Sequence, residues 1–136
     1  MTTTATADAL LEDLDVLVSE FIAVLNAKEV ERRVEVNSRH FGEYGRLLYP
    51  EGGQYCAFSA QTGGRKYVRI VETLTEGGGR SVHCFIDKKT GDVLKAAGWA
   101  APARGARYNL LRADSRTTLH ERCDFAGGYL YANRLG

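Results

Sequence analysis

Trp99, Arg104, Arg107 and Asn109 place a large aromatic ring, two guanidinium groups and an amide within eleven residues of chain. A nucleotide calls for those three chemistries. An aromatic face stacks on a base, an arginine fork closes on phosphate oxygens, and an amide offers a donor and an acceptor to a base edge or a ribose. The intervening residues are small (Gly98, Ala100, Ala101, Pro102, Ala103, Gly105, Ala106), which leaves room beside a ring. A plainer account stands next to this one: Trp99 packs in the core, the arginines are solvated, and Asn109 caps a turn. Tyr129 and Tyr131 also share one face of an expected strand, where ordinary packing explains them.

Catalytic constellations are absent from the sequence. It contains no H-E-x-x-H, no G-x-S-x-G and no P-loop. The run Gly77, Gly78, Gly79 lies between two strand-like segments, which makes it a hairpin turn rather than a phosphate cradle. His40, His83 and His120 have no short-spaced cysteine partner of the kind a structural zinc site needs. The expectation is a binding protein rather than an enzyme, with no metal and no cofactor.

The elements that must position these residues can be read from the pattern. With 136 residues, 44% hydrophobic and 26% charged, the chain is one domain with a real core. Its apolar runs are too short for a membrane span, and Met1 to Ala9 lacks the basic and apolar regions of a secretory signal. Cys56, Cys84 and Cys123 are odd in number and widely spaced, which suits a reducing compartment. Leu10, Leu14, Leu17, Phe21, Val24 and Leu25 recur in steps of three and four, so a helix is expected over 8–38, with Asp8 as its N-cap. Val16, Val18 and Ile22 widen its apolar face beyond what one small sheet covers, which predicts a homo-oligomer, a dimer or higher up to a hexamer.

Residues 54–136 read as an antiparallel sheet. Its strands are QYCAFSA, KYVRIVETL and SVHCFID, a K-T-G-D turn leads into Val93 and Leu94, and GGYLY closes it. The fold class is α+β, with segment 98–110 as the ligand-binding part. Charge is uneven: residues 1–30 carry about −5 and residues 95–136 about +4, although the whole chain is only +1. The basic third meets either an anion or the acidic end, within one chain or across two.

The stretch SVHCFIDKKTGDVLKAAGWAAPARGARYNL, with KYVRIVET before it and GGYLYANR at the end, resembles the core of a small protein widespread in tailed phages. That group is identified as similar to the first class of Thoeris anti-defence sponges. The resemblance implies a phage protein in the host cytoplasm that binds and sequesters cyclic ADP-ribose isomers, and cyclic oligonucleotides at separate sites, without degrading them. It implies that Trp99 and Asn109 are ligand residues, joined by Arg104 and Arg107 and, near the C-terminus, by Arg134. Trp99 stands where the family has Phe, and Ala113–Phe125 matches no part of its pattern. The alternative is a small interaction or nucleic-acid-binding protein that uses the basic C-terminal third. Its basic excess is too small for strong binding to a phosphate backbone, so nucleic acid is not expected as a partner.

Overall fold

A computed structural model describes the backbone of residues 6–48, 56–74 and 78–132, and the side chains of residues 13–39, 42, 56–74 and 78–131. The protein is α+β: one long helix followed by a five-stranded antiparallel sheet and two short helices. Helix α1 spans Thr6–Leu48 and is interrupted at Gly42, whose φ of 59° and ψ of −140° are open to glycine and strained for other residues. It therefore runs beyond the expected end near Ser38. Leu14, Val18, Phe21 and Leu25 are all buried, so the stripe expected from their spacing does face the core. Leu17, Ile22 and Val24 pack against its margin, while Val16 is 56% exposed.

The strands are β1 (Cys56–Gln61), β2 (Tyr67–Leu74), β3 (Arg80–Asp87), β4 (Asp92–Lys95) and β5 (Tyr108–Asn109), each paired with the next in chain order. Alternation sorts β2 between two faces. Val68 and Ile70 join the core beneath α1, and Arg69 and Val71 point to the other, outer face. Ile70 pairs with Cys84 and Val71 with Val82, so His83 is the extra residue of a β-bulge. The helix also protects the free edge of the sheet. The Asn26 amide donates to the Phe58 carbonyl at 3.1 Å and accepts from the Phe58 N–H at 2.9 Å, as a neighbouring strand would.

Two corrections concern the C-terminal third. The sheet ends at Asn109, not at the terminus, because α2 (Ala113–Arg122) follows it. The Ser115 hydroxyl takes the Asn109 N–H at 2.8 Å, and Leu119 seals the helix to the core. The segment GGYLY is not a closing strand but a turn leading into α3 (Tyr129–Ala132). Gly127 at φ 78° starts that turn, and its carbonyl accepts the Leu130 N–H at 3.0 Å. Tyr129 and Leu130 are both buried while Tyr131 is 70% exposed, so burial wraps around a turn instead of alternating. Tyr129 consequently does not share a strand face with Tyr131. Its hydroxyl lies 2.6 Å from His83 Nε2.

The three cysteines are buried and free, with Cys84 in the core between the sheet and the C-terminal segment. Burial pushes the Cys56, Cys84 and Cys123 thiols up, away from the reactive thiolate form. No helix among the described residues is long and apolar enough to cross a membrane.

Candidate ligand-binding site

The outer face of the sheet carries a ladder of rings and guanidinium groups. Arg69 on β2 and Phe85 on β3 are directly paired, and the Arg69 guanidinium carbon lies 5.7 Å from the Phe85 ring centroid. Tyr67 meets the same Phe85 ring edge-on at 5.7 Å. Trp99 reaches this face from the loop after β4. It is held there because Arg69 Nε donates to the Trp99 carbonyl at 2.9 Å, while Arg69 Nη1 is anchored on Gln61 at 3.1 Å. Arg69 and Arg80 lie 5.2 Å and 5.4 Å from the Trp99 ring centroid, both within cation–π range.

The loop is short and tied at both ends. Ala96 bridges Pro102, Ala103 N–H donates to the Lys95 carbonyl at 2.8 Å, and Ala97 N–H reaches Ala101 at 3.1 Å. Trp99 remains 45% exposed beside an open cavity of about 320 Å³ lined by Arg80, Ser81, Val82, Ala96, Ala97 and Gly98. Trp99 is thus not a core residue. An exposed tryptophan between two arginines, walled by small side chains, is a surface on which a flat ring stacks and an anion is met.

The other residues singled out from the sequence do different work. Arg104 is exposed on the same segment. Arg107 is buried and braces the chain from within: Nε donates to the Leu130 carbonyl at 2.7 Å, and Nη1 donates to the carbonyls of Arg104 and Gly105 at 2.8 and 2.6 Å. The Asn109 side chain is engaged inside the fold. Its Nδ2 donates to the Thr90 carbonyl and the Asp92 carboxylate, both at 2.8 Å. Its Oδ1 accepts from the N–H groups of Leu111 and Arg112 at 2.8 and 3.1 Å, so it ties the K-T-G-D turn to the start of α2. Arg134 lies outside the described residues.

Trp99 and Asn109 are not brought together within one chain. Asn109 pairs with Asp92 at the start of β4, whereas Trp99 follows Ala96 beyond its end. Four strand residues at roughly 3.3 Å each set the two about 13 Å apart along the sheet. Arg69 and Arg80 are the site residues that a search for short-range clusters misses, since they lie 30 and 19 positions before Trp99. A signal for Arg69 was available: in KYVRIVET it falls on the face opposite Val68 and Ile70.

Comparison with known proteins follows from this geometry. No curated protein and no solved structure matches the chain. The model of a family of unknown function, DUF7717, matches residues 3–132, and the chain belongs to that family.

Proposed function

We propose that the protein is a non-catalytic sponge that binds and sequesters a cyclic nucleotide, of the cyclic ADP-ribose type, in the cytoplasm of a phage-infected host. The observation that carries this reading is Trp99, exposed between Arg69 and Arg80 beside an open cavity. The likeness of residues 66–110 and of the C-terminal segment to the phage sponges supports it from the sequence side.

Energetics argue for a second copy. A sponge competing with a nanomolar receptor needs roughly −12 kcal/mol. One stacked base supplies about 1–3 kcal/mol and each charge-assisted hydrogen bond about 1.5–3 kcal/mol. One open cavity with one ring and two arginines falls short of that total. Enclosure between protomers supplies the remainder and lets one ligand meet Trp99 of one protomer and a surface of its partner. Exposed Val16 on α1, outside the core stripe, is apolar surface that such an assembly would cover. In this reading Arg104 is a peripheral anion contact, while Arg107 and Asn109 hold the segment in shape.

Denaturing the purified protein and identifying released small molecules by mass spectrometry tests the proposal. Intact cyclic nucleotide released in stoichiometric amount supports a sponge. A cleaved nucleotide would instead indicate an enzyme, and co-purified nucleic acid fragments would favour the nucleic-acid-binding alternative.

A further inference from the structure

The lining of two cavities meets at one point in the sheet. β3 runs for eight residues, but β4 pairs only with its Cys84, Phe85 and Ile86. Toward its start, from His83 back to Arg80, β3 continues past the end of β4. There the chain after Lys95 turns away into the Ala96–Pro102 bridge. This leaves a notch at the sheet edge. On the outer side of the notch lies the Trp99 pocket. On the core side lies a second cavity of about 160 Å³, lined by Glu72, His83, Lys95, Gly127 and Tyr131, and Val82 and Ala96 line both cavities.

The inner cavity brings opposite charges together around a small volume. Glu72 pairs across the strands with Ser81, itself part of the Trp99 pocket. Behind Glu72 the buried Cys56 thiol donates to Glu29 at 3.3 Å, and Arg32 meets Glu29 at 2.6 Å, so Glu29 has its countercharge within the core. Lys95 lies across from Glu72, with Nζ 4.5 Å from the Tyr131 ring centroid and 3.3 Å from the Ala96 carbonyl it donates to. A bare anion would be repelled by Glu72, and a bare ammonium group by Lys95. A neutral polyol joined to a phosphate satisfies both, because a carboxylate accepts from hydroxyl groups and an ammonium group meets a phosphate oxygen.

We propose that this inner cavity is a ribose subsite: the Glu72 carboxylate accepts from the ribose hydroxyls of the nucleotide whose base stacks on Trp99, and Lys95 meets the adjoining phosphate. The proposal rests on the binding reading above and adds to it a residue that reads the sugar. A carboxylate facing a ribose 2′-hydroxyl is a recurrent solution in nucleotide sites, and a site built to bond a hydroxyl discriminates against a ligand that lacks it.

The test is a titration of Trp99 fluorescence with a cyclic ADP-ribose isomer and with its 2′-deoxyribose counterpart, on the parent, Glu72→Gln and Lys95→Met. The parent should prefer the ribose form by about tenfold or more. Glu72→Gln should bring the two ligands to similar affinity, and Lys95→Met should weaken both while preserving the preference. A parent that binds both ligands equally, in a protein where Trp99→Ala abolishes binding, overturns the subsite and leaves the Trp99 reading standing. No response of the parent to either ligand overturns both. Should Glu72→Gln fail to fold, the parent's ratio and the Lys95→Met response still decide.

Discussion

Acidification should weaken the fold through His83, by an amount set by where this ring is placed. The bulge turns His83 into the core, where it is 8% exposed. The Phe58 ring meets it edge-to-face at 5.0 Å, the Gly127 backbone closes over it, and the Tyr129 hydroxyl lies 2.6 Å from Nε2. Burial disfavours the imidazolium and pulls its pKa from 6.5 to about 4, with only partial opposition from Asp124. Between those two values the unfolded chain holds more protons than the folded one, so stability rises with pH across that window and is fully present above it. The shift of about 2.5 units, at 1.36 kcal/mol each, corresponds to roughly 3 kcal/mol lost between neutral pH and pH 4. Urea unfolding at neutral pH and near pH 4, on the parent and on His83→Gln, isolates this part from the titration of carboxylates. Glutamine can still meet the Tyr129 hydroxyl but does not ionise. The parent should lose about 3 kcal/mol more than the variant. Equal losses in both proteins would refute the placement of His83 as a neutral buried ring.

Three further outcomes follow from the same geometry. Asn109→Ala removes four hydrogen bonds and should lower stability by about 2–4 kcal/mol, read as a reduced urea midpoint at unchanged slope; a midpoint equal to the parent's would place Asn109 outside the scaffold. Gly91→Ala introduces a Cβ 2.8 Å from Leu111 Cγ at a φ of 76°, and should destabilise by about 1–3 kcal/mol, seen in thermal melts; a neutral result would mean that this turn relaxes freely. Trp99→Ala should leave the melting temperature within a few degrees of the parent's, since the ring is 45% exposed, and a collapse of the fold would return Trp99 to the core.

The strands were legible wherever alternation ran for several residues. KYVRIVETL and SVHCFID lie within one residue of β2 and β3 at each end, because β-branched and aromatic residues there match a pleated surface buried on at least one side. The stripe Leu14, Val18, Phe21, Leu25 likewise marks the core face of α1. Helix α2 gave no such signal. Only Ser115 and Leu119 of its ten residues are buried, too few to trace a period, and Ser115 earns its place through a hydrogen bond rather than hydrophobicity. The final turn was misread because three residues, Tyr129, Leu130 and Tyr131, cannot distinguish a strand from a helical turn. At the site, the aromatic centre was visible in the sequence as a ring among small neighbours. Its arginine partners were not, because the sheet supplies Arg69 and Arg80 from strands distant in the chain. Arg107 and Asn109 carry the residue types of ligand contacts, yet the fold uses them for its own carbonyls and turns.

Trp99 is the only tryptophan in the chain, so its emission reports on the proposed pocket without a label. Titrating the parent protein with a cyclic ADP-ribose isomer should change that emission to saturation at a fixed stoichiometry of ligand to protomer. Linear ADP-ribose should produce much less change, and the ligand should be recovered intact afterwards. An unchanged emission across the titration, while calorimetry on the same sample registers binding, would place the ligand away from Trp99 and contradict the account.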